Sequence, residues 1–304
     1  MAKRFFRQWD LQIMVIPAII MIIIFSYIPM WGVLTAFQDY SPAKGFLGSE
    51  WVGFKHFRMF FNAPEFWQIM RNTIVISFLK LFIAFPAPII LALMLNEVKN
   101  AAFKRFVQTV SYLPHFISWV IVSGFVISLL SVDNGSMNIL LQKLNLIDEP
   151  VHWLSIPEYF WGILITSGIW KDIGFGAIVY LAAIAGVDPS MYEAASIDGA
   201  GRMRKLVSIT IPSIAPVIII FLILQVGQIL NAGFEEILLL TNQGQNVVLR
   251  PVSETIDTYV YRVGIENYRF SYATAAGLFK GLISVGLLVI ANWIARKLGD
   301  SSLW

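Results

Sequence analysis

The sequence predicts an all-α integral membrane protein, and three observations carry that prediction. Of 304 residues, 57% are hydrophobic and only 13% are charged, about half the charge an ordinary soluble domain needs to cover its surface. Mean hydropathy is +0.70. Runs such as Met14–Tyr27 and Val217–Leu224 are apolar on every side, which suits lipid-embedded helices and not the alternating strands of a barrel. Disorder is excluded by the low charge, a disulfide scaffold by the lack of cysteine. A net charge of +3 gives no support for nucleic-acid binding.

A helix needs about 20 apolar residues to cross the hydrocarbon core. Six stretches satisfy this: 11–37, 72–96, 107–131, 159–185, 207–231 and 272–295. The first follows Lys3, Arg4 and Arg7 and imitates a signal peptide. It is too long for one, contains Pro17 and Pro29, and has no small-residue cleavage site. It is expected to remain as the first span. Between the spans, the segments sharing a side with both termini carry 11 Lys and Arg in 50 residues, against 8 in 101 on the other side. The positive-inside rule therefore places both termini in the cytoplasm. Asn134-Gly135-Ser136 matches a glycosylation sequon and is expected to be only a turn.

Several chemistries are missing from the sequence. There is no phosphate-cradling Gly-x4-Gly-Lys-Ser/Thr loop and no Gly-x-Ser-x-Gly elbow. His56, His115 and His152 lack a second ligand at metal-binding spacing. The chain is expected to be a transport subunit and not an enzyme, with no cofactor or metal of its own. Any energy for uphill movement must come from elsewhere.

Between the fourth and fifth spans, Asp188-Pro189 starts a helix, since aspartate caps free N–H groups and proline suits the first turn. Gly199 is its expected stop. The resulting helix, about 189–199, mixes apolar Met191, Tyr192 and Ile197 with charged Glu193 and Asp198 and small Ala194 and Ala195. By composition alone it is either an amphipathic helix resting on the membrane or a docking surface. The spacing separates these readings. Glu193-Ala194-Ala195, then Gly199, Ile209 and Ile211-Pro212 resemble the EAA loop of permease subunits of importing ABC transporters. Ile211 stands where the family has leucine.

The resemblance extends over almost the whole chain. Ile28-Pro29-Met30 with Ala36–Tyr40 looks like the first span of sugar permeases, and Trp51-Val52-Gly53-Phe54 with Arg71-Asn72-Thr73 looks like their first outside loop. Tyr112–Trp119 (YLPHFISW) resembles a bacterial subgroup that carries oligosaccharides, including plant-polysaccharide fragments with uronic acids. The resemblance implies a type I ABC importer permease fold of six spans in one transmembrane domain, 1–304, in a bacterial cytoplasmic membrane. It implies four kinds of partner: a second related permease, an ATPase subunit dimer that holds ATP and Mg2+, an extracytoplasmic substrate-binding protein, and an oligosaccharide substrate. It assigns Glu193, Ala194, Ala195, Asp198, Gly199 and Arg202 to coupling with the ATPase.

Polar groups inside spans are costly and are functional candidates by default. Lys80, Lys171, Asp172 and Lys280 qualify: Lys171 and Asp172 are candidates for the substrate path, and Lys80 and Lys280 have no assigned role. Lys171 and Asp172 are adjacent, about 100° apart on a helix, so they are expected to face different partners. Gln225, Gln228 and Asn231 recur every three residues and are expected to line one face of the fifth helix. Amides suit sugar hydroxyls, and they also suit interhelical hydrogen bonds. Trp170 and Phe175 are candidate stacking platforms for sugar rings. Gly277 and Gly281 suggest close helix packing. Glu235, Glu236, Glu254, Asp257 and Glu266 make loop 232–271 either a solvated face or a docking face for the binding protein. Two alternatives stay open: an ABC permease for a non-sugar solute, and a proton-coupled secondary transporter with Lys171 and Asp172 as relay. The latter usually shows internal repeats, which this sequence lacks.

Overall fold

Proline sets the course of three of the long helices. A proline ring collides with the carbonyl four residues back and has no N–H to offer it. In each case the residue before the proline donates instead to the carbonyl five residues back: Ile28 to Ile23 ahead of Pro29, Phe85 to Lys80 ahead of Pro86, and Ile211 to Leu206 ahead of Pro212. One widened turn carries each helix past its proline without breaking it.

The structure, a computed structural model, describes residues 9–298. Lys3, Arg4 and Arg7, which weigh in the expected orientation, lie outside the described residues, as do 299–304. The elements follow in chain order. Helix α1 (Trp9–Ile22) continues through Ile23–Tyr27 and Ile28–Phe37. Strands β1 (Gln38–Asp39) and β2 (Glu50–Trp51) pair antiparallel, with Gln38 opposite Trp51. Next come α2 (Lys55–Phe61) and α3 (Phe66–Leu79), which passes through Lys80–Ala84 into α4 (Pro86–Glu97). Helices α5 (Ala101–Tyr112), α6 (Trp119–Leu129), α7 (Ser136–Lys143) and α8 (Pro157–Ala185) follow. The remainder is α9 (Pro189–Ile197), α10 (Arg202–Lys205), α11 (Ile211–Gly227), α12 (Phe234–Leu240), α13 (Arg250–Ser253), α14 (Ile256–Tyr261) and α15 (Phe270–Leu298).

Among the described residues, five helices are long and apolar enough to cross a membrane: Gln12–Phe37, Phe66–Glu97, Pro157–Ala185, Arg202–Gly227 and Phe270–Lys297. The expected third span, 107–131, requires correction. It is two helices, Ala101–Phe116 and Trp119–Leu129, that meet at 106° and make a sixth crossing when counted as one. The break has a local cause. After Tyr112 the chain tightens into the Leu113–Phe116 turn around Pro114, then Ile117 and Ser118 turn extended, with ψ of 136° and 153°. The Ser118 carbonyl then accepts from Ile121 and Val122 to start α6. The second span begins at Phe66, earlier than the hydropathy of 72–96 suggests.

The chain divides into two compact units. The first comprises the chain through Ala63 together with Val260–Phe279. Its core joins Ala36, Phe57 and Ala275. Thr35 donates to Thr274 at 3.0 Å, and the Tyr40 amide donates to Ser271 Oγ at 2.9 Å.

The second unit comprises Pro64–Tyr259 together with the chain from Lys280 on. One core in it gathers Ile76, Val122, Phe160, Leu164 and Ile237, another Ala92, Ala177, Tyr180, Ile184 and Ile214. Gly174 permits the closest approach. A Cβ there would lie 2.1 Å from the Ser111 carbonyl oxygen, and one on Gly176 would lie 2.9 Å from Pro88. Gly281 of this unit differs, as does Gly277 of the first: among the described residues a Cβ on either meets nothing within 4 Å. Buried Asn72 donates to the Pro251 and Glu254 carbonyls at 3.0 Å, and Thr73 accepts from the Ile256 amide at 3.0 Å. These bonds fasten α13 and α14 onto α3. Loop 232–271 is thus not simply a solvated acidic face, because Glu236 pairs with Lys80 and Asp257 with Lys280.

Candidate functional site

Two places in the second unit concentrate the candidate residues. The first is α9. Asp188 Oδ1 accepts the Ser190 amide at 2.9 Å, and that bond holds its carboxyl below the usual carboxylate range. Pro189 opens the helix, and Gly199, with φ +73°, ends it in the left-handed conformation glycine accepts most readily. The Ala200 amide closes back on the Ala195 carbonyl at 2.8 Å. The helix proper is Pro189–Ile197, with Gly199 as its stop.

Glu193, Ala194, Asp198, Gly199 and Arg202 are exposed, and Ala195 is half-buried. Ile197 is 87% exposed and Met203, just beyond, 72%. Apolar side chains this open at a helix end invite burial by another surface. Two polar struts tie α9 to the chain that leads into α11. Tyr192 Oη and Thr210 Oγ1 lie 2.9 Å apart, and Lys205 Nζ donates to Ser196 Oγ at 2.5 Å. Any push on α9 therefore reaches α11 through hydrogen bonds as well as through the chain.

The second place is a cavity of about 420 Å³ lined by Lys80, Asp172, Phe175, Tyr180, Gln225 and Glu236, among others. The volume is within the range of small-molecule sites. Lys80 and Glu236, both in the lining, form an ion pair, with Glu236 almost fully buried. Asp172 is half-exposed and offers carboxylate oxygens, Gln225 offers an amide, and Tyr180, Phe175 and Phe221 supply rings. Such a lining can accept from and donate to sugar hydroxyls while covering an apolar ring face.

The structure brings only some of the expected residues together here: Asp172, Phe175 and Gln225 line the cavity. Trp170 does not. It stacks on Phe125 with ring centroids 5.9 Å apart and lines a separate, apolar cleft with Val126 and Leu130. The expected amide stripe on the fifth helix also requires correction. Helix α11 ends at Gly227, Gln228 is its cap and Asn231 lies beyond, so the three amides share no helix face. Asn231 instead accepts from Lys280 at 2.5 Å.

Nor do Lys171 and Asp172 face different partners. Lys171 Nζ donates to the His115 carbonyl at 2.8 Å, and Asp172 Oδ1 lies 2.8 Å from His115 Nδ1. The His115 imidazole also stacks on Phe175 at 3.9 Å. His115 sits in the turn where α5 gives way to α6, so α8 grips the bend by backbone, side chain and ring. Sequence reasoning missed His115 and the Lys80–Glu236 pair. Histidine after a span-interrupting proline was the available signal for the first, and an acid soon after a span end for the second.

The comparisons with known proteins agree on one family. The family described as binding-protein-dependent transport system inner membrane component matches residues 84–300. Protein LplB of Bacillus subtilis (strain 168) is 46% identical over 297 residues, covering 98% of this chain and 91% of that one. The polygalacturonan/rhamnogalacturonan transport system permease protein YteP of the same organism is 46% identical over 298 residues, with the same coverage. A chain in the crystal structure of a bacterial alginate ABC transporter in complex with alginate pentasaccharide-bound periplasmic protein superposes with a TM-score of 0.91 at 40% identity, over 100% of this chain and 99% of that one. An exposed, capped helix ahead of α11, a polar cavity between apolar helices, and likeness along nearly the full length lead to one conclusion: the chain belongs to the binding-protein-dependent transport system inner membrane component family, the membrane permeases of ABC importers.

Proposed function

We propose that this chain forms half of the translocation path of an ATP-driven importer for an oligosaccharide, with carboxylate-bearing sugars as the favoured class. It works as one transmembrane domain of six spans in a bacterial cytoplasmic membrane, counting the bent pair Ala101–Phe116 and Trp119–Leu129 as one span, with both termini in the cytoplasm. A second related permease completes the path. An ATPase dimer below holds ATP and Mg2+, and an extracytoplasmic binding protein delivers the sugar. The observation that carries this reading is α9: nine residues, capped at both ends, exposed on Glu193, Ala194 and the capping Asp198, and bonded to the segment that leads into α11. Support for the sugar class comes from the relatives' names, one a polygalacturonan system and one an alginate transporter. Family membership argues against a proton-driven carrier.

In this reading the ATPases close on ATP, α9 moves with them, and Tyr192 and Lys205 pass the motion to α11. Asp172, Phe175 and Gln225 then meet substrate in a cavity whose opening follows that motion. Substrate biases the cycle only through a difference in affinity between the two states. Reversing the charge at Glu193 tests the assignment. Glu193→Lys should insert and assemble normally yet lose substrate-stimulated ATPase activity; unchanged stimulation would remove α9 from the coupling role.

A further inference from the structure

A second cavity, of about 310 Å³, lies in the first unit and is lined by Asp39, Tyr40, Lys55, Tyr268, Arg269 and Tyr272, among others. It sits where the first span ends and α15 begins, which is the outer face if the N-terminus is cytoplasmic. Its charges are unequal in what they have left to offer. Asp39 is already held: Lys55 Nζ is 2.5 Å from Oδ2 and His56 Nε2 is 3.0 Å from Oδ1. The Lys55 hydrogen bond keeps the Asp39 carboxyl below its usual range, so it stays ionised and paired.

Arg269 has no such partner. It is exposed, lies 4.6 Å over the Tyr272 ring, and makes no side-chain hydrogen bond or ion pair among the described residues. Tyr268 beside it is 76% exposed and holds φ at +56°. That position ends the turn before α15 and favours glycine, so an aromatic retained there is strained. The site thus presents a guanidinium free for bidentate bonding, tyrosine rings that can cover the apolar face of a sugar, and the positive end of a 29-residue helix.

We infer that this pocket is a subsite for one carboxylate-bearing sugar residue of the transported oligosaccharide, with Arg269 bonding the carboxylate and Tyr268 covering the ring. The inference rests on the oligosaccharide-importer reading above. The test uses the assembled importer in nanodiscs without its binding protein, probed by saturation-transfer NMR with tetragalacturonate and with its carboxyl-reduced counterpart. Uptake by the complete system in proteoliposomes is measured in parallel. Arg269→Gln should weaken tetragalacturonate binding about tenfold, leave the reduced sugar unchanged, and raise KM for uptake with little change in kcat. Arg269→Lys should restore part of the loss. Equal weakening of both probes, or of neither, overturns the subsite. So does loss of binding-protein docking with sugar contact intact, which would make the patch a protein-docking face. A wild-type importer that takes up no saccharide yet binds tetragalacturonate through Arg269 would sink the function and leave the subsite standing.

Discussion

Removing the two struts behind α9 should uncouple ATP hydrolysis from transport without unfolding the chain. Tyr192→Phe deletes the 2.9 Å bond to buried Thr210. A neutral hydrogen bond of this kind contributes about 1 kcal/mol net. Lys205→Met deletes the 2.5 Å bond to Ser196. That pair is exposed, and about 0.5 kcal/mol, the low end for a hydrogen bond, is a fair size for it. The double variant should then shift the equilibrium between an α9 that moves with α11 and one that slips by about 1.5 kcal/mol, or about tenfold. The assay is substrate transported per ATP hydrolysed, in proteoliposomes carrying the complete importer. Each single variant should lower the ratio, Tyr192→Phe more than Lys205→Met, with thermal stability nearly unchanged. A double variant with the wild-type ratio would show that force reaches α11 by the peptide chain alone.

Gly174→Ala should be poorly tolerated, since its methyl would meet the Ser111 carbonyl oxygen at 2.1 Å and α5 and α8 would have to part; the melting temperature in detergent should fall, while Gly277→Ala, in open space, should not move it. Glu236→Leu should cost about 3–5 kcal/mol by leaving the Lys80 ammonium without its partner; the double change Lys80→Met with Glu236→Leu should recover most of that stability, as read by chemical denaturation. Asp188 gives a pH statement. Its carboxyl is held low in the folded chain by the Ser190 amide, so the cap is fully present above the unfolded value of about 3.9 and is lost only as pH falls through the lower folded value. Coupling should therefore show no Asp188-dependent change across neutral pH, and Asp188→Asn should couple as well as wild type while Asp188→Ala should not.

Local chemistry explains what the sequence revealed. The limits of α9 follow from Asp188, Pro189 and Gly199, each acting on its own turn, and the structure places the cap and the stop at those residues. The apolar stretches were equally legible, because length and hydropathy decide them. The bend at Ile117 and Ser118 was not, since an apolar average carries no direction. The end of α11 at Gly227 was hidden for a related reason: residues three apart line a face only if the helix reaches them. The meeting of Lys171, Asp172 and Phe175 on His115 depends on how α8 packs against the bend, which no local pattern encodes.

The most direct measurement is of composition. The tagged chain would be purified from its native host in mild detergent, and the co-purifying subunits identified and counted. Two copies of an ATPase and one related permease per chain are the expected result. A chain that emerges alone under several mild conditions would contradict it.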